Sequence, residues 1–174
     1  MSKKVIQVGL SVKDINKAIR EVNKYKEDFR KKVDTYRKRI ADEIAVQASL
    51  GFGSSTVDDV VNGSSRRPDV QVYVSERGKV AVVVADGEDA VWCEFGAGVY
   101  HNGSVGSSPN PYGDELGFTI GSYGKGYGKR QVWGYPDADG NIILTRGTPA
   151  TMPMYNAAQE IMRKSVEIAR EVFG

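Results

Sequence analysis

Residues 121–140 read GSYGKGYGKRQVWGYPDADG, an alternation of glycine, cation and aromatic ring that fits a phosphate cradle, a nucleic-acid strip or a mobile loop. The phosphate cradle fails on spacing. A P-loop sets glycine, four residues, then Gly-Lys and a hydroxyl side chain for magnesium. Here Gly128-Lys129 has Tyr123 in the first position and Arg130 in the last. A dinucleotide fingerprint fails too, because no strand and helix flank these glycines at the required distance. What remains is charge and stacking: Lys125, Lys129 and Arg130, set among Tyr123, Tyr127 and Trp133, can meet phosphates while the rings stack on bases. A formal net charge of +2 provides no basic face to support that reading. A solvated loop is therefore the first expectation, and non-specific DNA contact the second.

The other reactive side chains lack partners. His101 is the only histidine, and no nucleophile elbow surrounds any serine, so the chain presents no triad. Cys93 is the only cysteine; it allows no disulfide within one chain, fits an intracellular setting, and in its apolar run reads as a packed small hydrophobe. Asp137 and Asp139 resemble the start of a calcium loop, but the remaining ligands and the closing glutamate are absent, so a turn is expected. Asp114 with Glu115, or Glu88 with Asp89, would act as acid and base only if folding paired them. We expect no enzyme, no cofactor and no metal site.

The surrounding elements divide as one α+β domain over 1–174. Ser11 and Asp14 form a capping-box pattern, opening a helix over about 12–50. Its apolar positions run Ile15, Ile19, Val22, Phe29, Val33, Tyr36, Ile40 and Ile44 at spacings of three and four, with one slip near Tyr25. About 34 residues without proline or glycine extend roughly 50 Å at 1.5 Å per residue, more than the ~40 Å width of a domain this size. Part of the helix must overhang and meet another subunit, or bend near Tyr25 or Thr35.

After a Gly/Ser-rich connection with room for a turn of helix at 56–61, two β-branched runs join at Glu76, Arg77 and Gly78 as a hairpin. Val80–Val84 is apolar on both faces and reads as a central strand. The sheet is expected over about 69–98 and 131–145, including the apolar run 90–98 and a hairpin from Trp133 to Leu144 that turns at Asp139-Gly140. A long mobile loop spans about 99–130. A C-terminal helix over about 151–173 opens through Pro149 and Pro153. The whole reads as a mostly antiparallel sheet packed by a long N-terminal and a C-terminal helix. The N-terminal apolar run is too short for a membrane span.

Two stretches taken together carry a family likeness. Residues 90–98, AVWCEFGAG, resemble a V-E-F-G-T-G signature, and 145–158, TRGTPATMPMYNAA, resemble the G-x-P-A-x-P-F-x-x-P-A opening of a last helix. Both are similar to the minor tail-component, or neck, family of long-tailed bacteriophages and prophages. Ala97, Met152-Pro153-Met154 and Asn156 depart from its pattern. The resemblance implies a structural part of the virion, assembled in the host cytoplasm: a homo-oligomeric ring meeting other neck, tail-terminator or tail-tube proteins, without catalytic residues. On that view Trp92 and Phe95 supply apolar anchors or core, and Gly96 and Gly98 permit close backbone approach. Glu94 is either a satisfied buried acid or, the preferred reading, a charge partner between subunits. Lys125, Lys129, Arg130 and Trp133 would contact a neighbouring ring, the tail tube or passing DNA.

Overall fold

A computed structural model describes residues 5, 6, 8–100, 108–118 and 131–174. Helix α1 spans Val12–Ser54, 43 residues, or about 65 Å. Ser11 Oγ accepts the Asp14 N–H at 3.1 Å and donates to the Asp14 carboxylate at 2.6 Å, so the box closes through the hydroxyl. The helix continues without interruption through Tyr25 and Thr35, then past Gly51, where the sequence places its end. Gly51 is needed for proximity: a Cβ there would lie 2.9 Å from Pro153 Cβ.

Pro153 opens α3, Pro153–Phe173, which lies antiparallel to α1. At its far end the Phe173 ring meets Phe29 and Tyr36, with centroids 5.8 and 5.9 Å away. Ala41 and Ala48 on α1 and Ala157 on α3 are buried beside Ile161 and Ile168, and these small residues let the two helices approach closely. Arg39 bonds Glu171 at 2.6 Å along the rim.

The expected single sheet is two separate antiparallel hairpins. The first pairs β1 (Gln71–Arg77) with β2 (Val80–Asp86), turning at Gly78-Lys79, one residue later than expected. Only Gly78 has positive φ, 61°, which fits a type II′ turn. This hairpin lies along α1, with Arg37 donating to the Gly78 carbonyl at its tip. β2 is consequently not a central strand: Val72, Val74, Val83 and Ala85 share the covered face, while Tyr73, Val80 and Val82 stay exposed on the other.

The run 90–98, expected to extend the sheet, instead forms the short helix α2, Asp89–Phe95. Its buried residues Ala90, Cys93 and Glu94 fall at a three-and-four spacing, which is a helical face. Gly96, at φ 80°, ends it. The second hairpin pairs β3 (Trp133–Pro136) with β4 (Ile142–Thr145). Asp137 accepts N–H bonds from Asp139 and Asn141 across its turn, and this turn holds the Asp137 carboxyl below its ordinary range, chiefly through the Asn141 N–H. Residues 56–61 are not helical: Val57 bridges to Arg66 and Val60 to Thr145. Phe52, Val57, Ala90 and Cys93 form the core, with Val70, Val72, Ala85 and Met154 around it.

Beyond Phe29 toward its N-terminus, α1 leaves the body of the domain. Among the described residues, Val5 and Ile6 lie beside Asp14, Lys17, Ala18 and Glu21. Ile15, Ile19, Val22 and Tyr25 are 43, 52, 51 and 51% exposed. Of the overhang and the bend that helix length left open, the overhang is the one present, and its apolar stripe faces solvent.

Candidate assembly interface

Helix α3 lacks a cap of its own. Met152 stands at the N-cap with φ 53° and offers no side-chain acceptor, while a helix start leaves several N–H groups unpaired. Glu94 supplies the acceptors from 60 residues earlier in the chain: Oε2 accepts Met154 N–H at 2.9 Å and Oε1 accepts Tyr155 N–H at 3.0 Å. Asn110 Nδ2 donates to the same Oε1 at 2.8 Å. The negative carboxylate thus sits at the positive end of α3. Burial pushes the Glu94 carboxyl above its ordinary range, opposed by the N–H bonds of Met154 and Tyr155 and by Asn110. Glu94 is therefore the satisfied buried acid of the two alternatives, and not a charge partner between subunits. Its one sequence signal was a proline-led helix with methionine where Ser, Thr, Asp or Asn would cap.

The two stretches that carry the family likeness are bonded to each other. Thr151 and Met152 donate to the Cys93 carbonyl at 2.9 and 3.1 Å; Ala97 donates to Thr148 and Val99 to Arg146, both at 2.9 Å. The crossing is tight at Gly98. At φ 69°, a Cβ there would overlap the Trp133 ring and the Arg146 carbonyl. Trp133 therefore packs over the glycines with an exposed edge, 36% accessible. Phe95 stacks on Phe118 at 4.1 Å and 10°, and Ser108 donates to the Phe95 carbonyl at 2.7 Å. Residues 108–118, inside the stretch expected as a mobile loop, are anchored by these contacts and by Asn110. Trp92 is half-buried and Gly96 buried. Lys125, Lys129 and Arg130, like His101, lie outside the described residues.

A second clasp holds the connection 55–70. Arg66 grips Asp89 with two bonds, 2.6 and 2.8 Å, and reaches Asp58 at 3.3 Å. Burial alone would raise the Asp89 carboxyl, but the Arg66 bonds, the Asp69 N–H and the Arg66 charge together hold it below its ordinary range. A lowered carboxyl pKa adds stability above the unfolded value and loses it as pH falls through the folded one. The raised Glu94 has the opposite sign, favouring the native state as pH falls. Asp89→Asn should cost about 2 kcal/mol at neutral pH, the worth of charge-assisted hydrogen bonds. In urea melts its deficit relative to the wild type should shrink as pH drops below about 4, the ordinary Asp value.

Burial of Cys93 pushes its thiol up to about 12, so it is no nucleophile at neutral pH. Among the described residues no three His, Cys, Asp or Glu side chains could share a metal. No helix there is long and apolar enough to cross a membrane. No family model, curated protein or solved structure matches the chain. Exposed apolar side chains stand on the α1 overhang and on the outer face of the first hairpin, and also at Val46 and Leu50, at Ile142 and Leu144, and at Met162 and Val166. The hairpin face was missed in the sequence because Val80–Val84 was read as covered on both sides.

Proposed function

We propose that this chain is a structural subunit of a phage or prophage neck, working by contact and not by catalysis, and built into the virion as a ring in the host cytoplasm. The observation that carries the reading is the overhang: a helix projecting about 25 Å from its domain with Ile15, Ile19, Val22 and Tyr25 open to solvent. A lone copy has no use for such a stripe, and exposed apolar area of this kind marks an interaction surface. The two stretches that carry the resemblance are bonded to each other through Cys93, Glu94 and Ala97, so they work as one structural unit. In a ring, the same head-to-tail contact repeats until it closes.

Co-expression with phage portal, neck and tail-tube proteins tests this. The chain should be recovered in purified particles and sediment as an oligomer at high concentration. A monomer that also stays out of particles contradicts the reading. DNA binding at physiological salt that disappears when Lys125, Lys129 and Arg130 are replaced by Ala would shift it to a nucleic-acid accessory protein.

A further inference from the structure

Asn62-Gly63 stands at the tip of a loop whose two sides are fastened to the rest of the domain. We propose that this pair is a site of spontaneous modification, at which Asn62 loses ammonia through a cyclic imide and becomes aspartate or isoaspartate. Nothing in it depends on the assembly reading.

The chemistry is an intramolecular acyl substitution. The Gly63 main-chain nitrogen attacks the Asn62 side-chain carbonyl carbon, a five-membered ring closes and the Cγ–Nδ2 bond breaks, so that the side-chain nitrogen leaves as ammonia with the proton lost from the Gly63 amide. Water then adds to one of the two imide carbonyls. Opening at the main-chain carbonyl carries the chain through the side-chain carbon and gives isoaspartate; opening at the other restores the ordinary chain with an aspartate side chain. Water is the sole co-reactant, and nothing is oxidised or reduced.

Holding both reacting groups in one chain removes the cost of bringing them together, so access decides which asparagine reacts. Gly63 has no side chain to hinder its nitrogen, and a Cβ there would press on Val60 Cγ1 at 3.0 Å. Asn62 and Gly63 are both exposed, and the bonds that hold the loop pass them by. Val57 and Arg66 bond each other at 2.9 and 3.3 Å, Asp59 N–H donates to the Gly147 carbonyl at 2.7 Å, and Val61 N–H donates to the Leu144 carbonyl at 2.9 Å. Val60 N–H donates to Ser65 Oγ at 3.3 Å. None of these uses the Asn62 carboxamide or the Gly63 N–H.

The other asparagines among the described residues are each hindered. Asn16, Asn23 and Asn156 lie in helices, where the following N–H is committed to the carbonyl four residues back. Asn110 precedes Pro111, which has no N–H, and is buried with its Nδ2 on Glu94. Asn141 donates its Nδ2 to Asp137 and precedes the branched Ile142. Asn102-Gly103 repeats the dipeptide but lies outside the described residues. At Asn62 the product sets a carboxylate where a neutral amide stood, lowering the formal net charge of +2 by one unit. The Val57–Arg66 pair and the Arg66 grip on Asp89 at 2.6 and 2.8 Å confine the change to the tip. Each molecule thus acquires a charge mark with age and keeps its fold.

Peptide mapping of the folded, full-length protein tests this. The protein is held at body temperature and mildly alkaline pH, circular dichroism confirms that it stays folded, and trypsin then releases residues 40–66, whose one asparagine is Asn62. That peptide should gain one mass unit, divided between aspartate and isoaspartate, at least about tenfold faster than the peptides carrying Asn141 or Asn156. In ¹⁸O-labelled water the gain should be three mass units, because the new oxygen comes from solvent. Asn62→Gln, an exposed replacement, should abolish the gain, since the longer side chain closes the ring far more slowly. An unchanged 40–66 peptide, conversion no faster than at Asn141, or the same gain in the Asn62→Gln protein overturns the proposal.

Discussion

Glu94→Gln should lower the stability of the protein by about 2 kcal/mol, although it only exchanges one oxygen for an NH₂ group and keeps the shape. The reason is donor and acceptor arithmetic. Three N–H groups converge on the two carboxylate oxygens, from Met154, Tyr155 and Asn110. A glutamine offers one acceptor oxygen and one NH₂, so whichever way the amide turns, at least one donor faces a donor inside the domain. An unsatisfied buried donor costs about 1–3 kcal/mol; loss of the charge adds nothing to this, because burial already outweighs the helix-start N–H bonds and raises the carboxyl. For a chain this size the melting temperature should fall by about 6 °C. An equal melting temperature for wild type and variant would show that α3 does not depend on this cap. Asn110→Ala, which removes one donor and leaves the acceptors in place, should cost less.

Gly98→Ala should be at least as damaging, at about 3–4 kcal/mol. The left-handed backbone, φ 69°, costs an L-residue about 1–2 kcal/mol. The added methyl has no room between the Trp133 ring and the Arg146 carbonyl, and overpacking costs a further 1–3 kcal/mol or so. Gly78→Ala separates the two contributions, since Gly78 has φ 61° with nothing within 4 Å of a Cβ, and it should lose about 1–2 kcal/mol. If both variants melt together, the close approach at Gly98 carries no energy.

The two long helices were legible in the sequence because their apolar positions recur at three and four over many turns, whereas length alone left an overhang and a bend both open. Residues 90–95 were misread because a six-residue apolar run fits a strand or a helix equally. What decided it was tertiary: Cys93 and Glu94 face the start of α3, and sequence does not show which distant backbone a side chain will meet. Gly98 was read correctly as a place of close approach, yet its partner, Trp133, was assigned to a different surface. The role of Glu94 was hidden for the same reason, since its partners lie 16 and 60 residues away. The Val80–Val84 run was correctly seen as apolar on both faces. The inference of a central strand assumed that one chain must supply both covers.

The cap on α3 also bears on the order of events during synthesis. Glu94 leaves the ribosome long before Met154 and Tyr155, which bind it, and α1 waits still longer for Phe173 to reach Phe29. Until α3 emerges, at about 5–20 residues per second, Glu94 lacks its two backbone donors and α1 lacks its helix neighbour. Docking of α1 is thus completed by α3, and a chain cut before Met154 leaves Glu94 and Phe29 without these contacts.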